Sequence, residues 1–146
     1  MEIRTGLRLS QSEVLSLLNR FDDSSEKPLH AGVDFSTYSI KLSQYAYFII
    51  AIENDLQMGF VAYYLNDENH FAYVPQVVVH KEARHKGVGH SMFKVLCDSL
   101  TSNIKCIKLE VLKSNFYARN FYQREGFSCV EDHSERILLE KNYDRM

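Results

Sequence analysis

A chain of 146 residues with 45% hydrophobic and 12% aromatic content is expected to form one packed domain, residues 1–146. The net charge of −2 excludes a general nucleic-acid binder, which needs a basic surface against phosphates. With the longest apolar run at residues 45–52 and no apolar leader in MEIRTGLRLS, a cytoplasmic location and no membrane partner are expected.

Residues 2–8 alternate, with Ile3, Thr5 and Leu7 set against Glu2, Arg4 and Arg8, and predict a first strand that Gly6 weakens. Ser10 then caps a helix, and Glu13 completes a capping box ahead of the apolar face of Val14, Leu15, Leu17, Leu18 and Phe21. Residues 22–32 are polar and carry a proline, so they read as a loop. Strands at 45–53 and 58–65 meet through Asn54-Asp55-Leu56-Gln57, a hairpin by spacing and turn chemistry. Gly59 marks a bulge or a point of close approach. After a turn at 66–69, a fourth strand covers Phe71–Val79, where Pro75 suits either an edge position or a bulge because it has no N–H to donate.

The stretch VVVHKEARHKGVG, residues 77–89, reads as a buried strand (Val77, Val78, Val79) followed by Arg84, two spacers and Gly87-Val88-Gly89. Helical spacing continues through SMFKVLCDSL, with Val88, Met92, Val95, Leu96 and Leu100 on one face. Such a helix packs on a sheet and offers phosphate oxygens its unpartnered N–H groups and the positive end of its dipole. A P-loop would need Lys and Ser/Thr directly after the second glycine, but His90 and Ser91 stand there; a dinucleotide fingerprint would need Gly or Ala at Met92. What remains is an Arg/Gln-x-x-Gly-x-Gly/Ala loop. Lys81, Arg84, His85, Lys86 and His90 gather positive charge around it in an overall acidic chain.

A second motif lies in KLEVLKSNFYARNFYQREGF, residues 108–127. A strand over 104–112 leads to a helix over 115–124, and Gly126 ends that helix in the left-handed region. Asn115, Ala118, Phe121, Tyr122, Gly126 and Phe127 are spaced Asn-x-x-Ala-x-x-Phe-Tyr-x-x-x-Gly-Phe. Residues 127–132 and 136–141 alternate and predict a closing hairpin around His133-Ser134-Glu135. Cys97, Cys106 and Cys129 are odd in number and set in apolar segments, which reads as reduced core thiols rather than a redox or metal site.

With both motifs in this order, the chain resembles the GNAT N-acetyltransferase superfamily, closely over its C-terminal half and in outline over the rest. The resemblance implies an α/β (α+β) GNAT fold: a mixed, mostly antiparallel sheet of about seven strands flanked by about four helices, splayed between strands 4 and 5. It also implies acetyl-CoA as cosubstrate and no metal. The backbone N–H groups of His85, Lys86, Gly87, Val88, Gly89 and His90, entered through Arg84, would hold the pyrophosphate. On the strand Val77, Val78 and Val79, the Val77 N–H would face the acetyl carbonyl oxygen and the Val79 backbone would pair with pantetheine.

Tyr122 matches the tyrosine of the family's Phe-Tyr pair. It is the implied general acid for the departing thiolate and a cofactor contact, the alternative being a core aromatic beside Phe116, Tyr117 and Phe121. Glu110 takes the place of the glutamate in the Leu-Glu-Val strand of ribosomal-protein N-terminal acetyltransferases, where it would draw a proton from the amine through water; otherwise it only bridges strands. Asn115 serves as helix N-cap, as cofactor contact, or as both. Tyr73 stands where histone-type members carry a glutamate, and Tyr73 or Tyr64 would line the acceptor pocket. His80 and His133 read as surface histidines, and nothing has zinc spacing or a Ser/His/Asp arrangement.

The activity implied is direct transfer, in a ternary complex, to the primary amine of a small molecule: an amino sugar, an amino acid or a polyamine. The alternatives are a protein or peptide N-terminus, or a CoA-binding module without turnover. Residues 22–43 would form one wall of the acceptor pocket, where Asp22, Asp23, Glu26 and Asp34 favour a cationic amine. Family members are often dimers, so a homodimer is open to this chain.

Overall fold

The computed structural model describes residues 1–24 and 33–142; Glu26 and most of the expected 22–32 loop lie outside the described residues. In chain order the elements are β1 (Glu2–Leu7), α1 (Gln11–Arg20), α2 (Phe35–Tyr45), β2 (Tyr47–Glu53), β3 (Leu56–Asn66) and β4 (Phe71–Val79), then α3 (Val88–Ser99), β5 (Cys106–Leu112), α4 (Phe116–Arg124), β6 (Ser128–His133) and β7 (Arg136–Asn142). The seven strands follow the order β1-β2-β3-β4-β5-β7-β6. β4 and β5 pair in parallel from Phe71↔Cys106 to Tyr73↔Lys108, where the ladder ends although both strands continue, β4 to Val79 and β5 to Leu112. A ladder this short is consistent with the expected splay between strands 4 and 5. Pro75 falls just past the end of that ladder, on a stretch where a missing donor costs no bond to β5.

The chain divides into two compact units, Met1–Tyr63 with Gln76–Ser99, and Tyr64–Pro75 with the residues from Leu100 onward. In the first, α1 begins with the expected capping box: Ser10 Oγ accepts from the Glu13 N–H at 3.2 Å, and the Glu13 carboxylate accepts from the Ser10 N–H at 2.9 Å. Its face of Val14, Leu17 and Leu18 is buried, α1 packs on α2, and Phe21 just beyond it meets β3, with the Phe21 and Phe60 rings 5.4 Å apart. Full burial of rings such as Phe21, Phe48 and Phe60 contributes about 1.5–3 kcal/mol each. α3 packs against β1 and β2 through Met92, Phe93 and Leu96.

In the second unit β5 alternates buried Ile107, Leu109 and Val111 with more exposed Lys108 and Glu110, and β7 buries Ile137 and Leu139. α4 ends as the glycine predicts. Gly126 has φ +97°, its N–H reaches Gln123 O at 3.1 Å, the Phe127 N–H reaches Tyr122 O at 2.9 Å, and the Phe127 and Tyr122 rings touch across the cap. β6, the edge strand, is exposed along its whole length; a bulge between Cys129 and Glu131, together with charged Glu131 and Asp132, blunts it against further pairing.

Several boundaries differ from the sequence reading. β1 ends at Leu7, and β5 begins at Cys106 rather than at 104. α2 runs from Phe35 to Tyr45, capped by Asp34, so β2 starts at Tyr47 rather than at 45. The first hairpin turns on two residues, not four: Asn54 and Asp55 both take positive φ (52° and 63°), which lets Leu56 pair with Glu53. The following turn begins at Asp67 because β3 extends through Asn66. His133 pairs with Arg136 inside the second hairpin, leaving Ser134 and Glu135 as the turn. On α3, Phe93 is buried and Val95 only half-buried. None of the three cysteines is in a disulfide, but only Cys106 is a core thiol; Cys97 is half-buried and Cys129 exposed on β6. No helix among the described residues is long and apolar enough to cross a membrane.

Candidate active site

In the first unit, the end of β4 and the start of α3 are joined by a tight connection. The His80 N–H donates to Met58 O at 2.8 Å, anchoring the strand's end to β3. Lys81–Ala83 then make a single 3-10 turn in which His80 Nδ1 accepts from the Glu82 N–H at 3.2 Å. Residues 84–87 turn into the helix, whose first backbone bond runs from the Ser91 N–H to Gly87 O at 3.0 Å. The N–H groups of Val88 and Gly89 lie ahead of that bond, with no carbonyl behind them within the helix. His85 and Gly87 hold positive φ (66° and 78°). Left-handed residues in such a turn rotate neighbouring N–H groups toward one side and form a concave anion seat, at the positive end of the α3 dipole. A Cβ on Gly87 would meet nothing within 4 Å, so backbone conformation, not space, asks for glycine there. Gly89 is a buried helical residue.

The five basic residues around this loop divide by what they touch. Lys81 Nζ pairs with Asp23 at 2.8 Å, holding that carboxyl below its usual range, and the Lys81 N–H donates to Ser24 Oγ at 3.4 Å. The Arg84 guanidinium donates to the Ser24 carbonyl. Two of the five therefore strap the loop to residues 23 and 24, while His85, Lys86 and His90 are exposed at its mouth. Neither Ser24 nor Asp23 was singled out as a loop support, because the contacts join positions some 60 residues apart. Along β4, Val78 is buried and Val77 and Val79 are half-buried. This side of the site has the parts a diphosphate needs: backbone donors, a helix tip and nearby cations.

In the second unit, Tyr122 lies buried on α4, its ring edge-on to Phe121 at 5.3 Å and to Phe127 at 5.5 Å. Burial pushes its phenol well above the ordinary value. Asn115 is the N-cap of α4, its Oδ1 accepting from the Ala118 N–H at 3.1 Å. Glu110 is exposed on β5, across from Leu138. Tyr73 is half-buried on β4, its phenol raised chiefly by burial, raised further by the Glu110 charge and lowered by Arg136. Tyr64 neighbours Tyr73, and burial raises it too. The structure thus brings Glu110, Tyr73 and Tyr64 together and adds Arg136, which no sequence signal had marked. His80 packs edge-on to Phe21 at 6.1 Å, and His133 bonds Glu131 at 2.6 Å on the surface.

Comparison with known proteins bears on these parts. The model of the acetyltransferase (GNAT) family matches residues 13–127, well over half of the chain. The PaiA N-acetyltransferase of Thermoplasma acidophilum, solved with coenzyme A, is similar with a TM-score of 0.72 and 19% identity, over 98% of this chain and 100% of that one. A ribosomal-protein-alanine N-acetyltransferase of Brucella melitensis superposes with a TM-score of 0.73 at 15% identity, over 98% and 100% of the two chains. An acetyl coenzyme A complex from Bacillus anthracis covers 68% of this chain and 64% of its own, with a TM-score of 0.61 and 24% identity. Among curated proteins, none matches by sequence.

Proposed function

The chain belongs to the acetyltransferase (GNAT) family and uses acetyl-CoA as its donor, and we propose that it moves the acetyl group directly, in a ternary complex, to the primary amine of a small molecule. The observation that carries the cofactor half of this reading is the loop before α3, where left-handed His85 and Gly87 precede a helix tip. Backbone N–H groups from His85 to His90 hold the diphosphate, and Lys86 adds positive charge. Binding there is remote from the reacting carbon, so its energy serves to position the thioester. The Val77 N–H stabilises the carbonyl oxygen as it gains charge, and the Val79 backbone pairs with the pantetheine amides.

Tyr122 donates a hydrogen bond to the departing sulfur. Its raised phenol is a weaker acid than a thiol of pKa about 8.5, so full proton transfer to the thiolate runs uphill, while donation from an intact O–H does not. This favours stabilisation of the thiolate over its outright protonation. Glu110, an exposed carboxylate, accepts the proton that the amine must lose, directly or through water. Asn115 orders the start of α4 and contributes to cofactor contact.

A second reading, a peptide N-terminus as acceptor, is favoured by the Leu109-Glu110-Val111 strand and by the likeness to a ribosomal-protein-alanine acetyltransferase. Thiol release from acetyl-CoA across amines and peptides, with coenzyme A affinity measured by calorimetry, tests all of this. Release on small amines is the expected result; release on peptides alone favours the second reading. Tight coenzyme A binding with no release on any acceptor would leave only a CoA-binding module, and no binding would overturn the assignment. Tyr122→Phe should lower kcat about tenfold to a hundredfold, the worth of a hydrogen bond to a charged group, while leaving acetyl-CoA affinity unchanged. Equal kcat for parent and Tyr122→Phe across the pH range would remove Tyr122 from the role.

A further inference from the structure

We propose that the acceptor is a zwitterion, a primary amine that also bears a carboxylate and belongs to the amino-acid class, with Glu110 facing the ammonium and Arg136 the carboxylate. The proposal rests on the transferase reading above and narrows which amine it takes.

Strand register places the two charges together. On the β5–β7 ladder Glu110 lies opposite Leu138, and Leu112 opposite Arg136. Facing residues of a ladder share a face, as do alternate residues of a strand, so Glu110 and Arg136 are diagonal neighbours about 7–8 Å apart on one face. The β4–β5 ladder sets Tyr73 opposite Lys108 on that same face. Tyr73 feels both charges, Glu110 raising its phenol and Arg136 lowering it. A half-buried phenol, with Tyr64 beside it, thus has a carboxylate and then a guanidinium on the next two strands to one side of it.

Neither charge forms a hydrogen bond or ion pair with any described residue. Elsewhere in the same unit neighbouring opposite charges do join: Lys113 with Asp132, His133 with Glu131. Lys108 lies over the Phe71 ring at 4.6 Å, opposite Glu140. Diagonal opposite charges attract, so a pair left open beside a phenol is arranged for a ligand that carries both complements. The Arg136 fork suits a carboxylate, to which it can donate two parallel hydrogen bonds. A polyamine would be repelled by Arg136, and a neutral amino sugar would leave it unmatched. In the reaction, the ammonium yields one proton to Glu110 and on to solvent. The nitrogen–carbon bond forms as the carbon–sulfur bond breaks, and the nitrogen's second proton ends on the sulfur, giving the N-acetyl product, coenzyme A thiol and one released proton.

The test uses the full chain with acetyl-CoA and matched acceptors: amino acids with the amine α, β or γ to the carboxylate, their carboxamides, and amines without any acid. Free acids should exceed their carboxamides in kcat/KM by about tenfold or more, as expected for charge-assisted bonds. Arg136→Gln should abolish that preference by raising KM for the free acids about tenfold more than for their carboxamides, and Arg136→Lys should restore part of it. Equal rates on acids and carboxamides, or an Arg136→Gln loss shared equally by both, would overturn the proposal. Release on acid-free amines alone would overturn it too, and would leave the transferase reading standing.

Discussion

Gly59→Ala sets a methyl group where β3 passes under the end of β4 and the first turn of α3. Its Cβ would lie 2.9 Å from Val78 O, 3.0 Å from Met92 Cε and 3.3 Å from Val88 Cγ1. The thioether methyl of Met92 ends a flexible chain and can swing aside. The Val78 carbonyl cannot, because the same strand is tied to β3 two residues later by the His80 N–H to Met58 O bond of 2.8 Å. β4 must therefore shift, carrying Val77 and Val79 with it. Overpacking of this kind costs about 1–3 kcal/mol, offset by about 0.4–1 kcal/mol from the lower entropy of the unfolded chain when glycine becomes alanine. The net loss, about 1.3 kcal/mol at the middle of these ranges, corresponds to a Tm lower by about 3–5 °C for a chain of this size. Because the displaced backbone adjoins the phosphate loop, coenzyme A affinity should also fall, by about tenfold if some 1.4 kcal/mol of positioning is lost. Denaturant melts and calorimetric titration with coenzyme A measure the two effects. Adding Met92→Leu should not rescue the variant, since the carbonyl contact remains. Stability within about 0.5 kcal/mol of the parent and an unchanged Kd would refute the idea that close backbone approach at Gly59 sets the loop.

Gly87→Ala should weaken coenzyme A binding and cost about 1–2 kcal/mol, the penalty for a left-handed alanine, although nothing stands within 4 Å of its Cβ. Gly87→Asn should lose less, because asparagine tolerates that conformation; equal titrations for alanine, asparagine and parent would contradict this. Tyr122, raised by burial, keeps its proton in the folded chain above the ordinary phenol pKa of about 10, while the unfolded chain loses it. Stability is thus fully present below pH 10 and falls as pH rises beyond it, by up to about 1.4 kcal/mol per pH unit. Melts of Tyr122→Phe should show a shallower alkaline decline, and an identical slope would mean that the phenol is not excluded from water. Ser10→Ala breaks the capping box and should lower stability by about 1 kcal/mol without altering coenzyme A affinity, as judged by the same melts and titrations.

Where a cause acts over a few residues, the sequence carried it. Ser10 and Glu13 meet one helical turn apart, Asn115 caps the helix it opens, and the β-branched run through Val79 ends just before the polar connection. The glycine loop before α3 was readable for the same reason, since its glycines, its cations and the helix behind them occupy one short stretch. The two-residue hairpin at Asn54 and Asp55 was not. That turn most often announces itself with a glycine, and here two short polar side chains tolerate the left-handed region instead.

Hydrophobic spacing reports the period of an element and which face is buried, but not which strand lies beside which or how far one has slid along the other. By itself, then, the sequence determined most of the elements, the family and the glycine loop before α3. Only the tertiary structure tied Arg84 and Lys81 to residues 24 and 23, set Gly59 beneath Val78, and gathered Tyr73, Glu110 and Arg136 from three strands onto one face. Those groupings depend on strand order and register, which are settled by the packing of the whole sheet and leave no local mark on the chain.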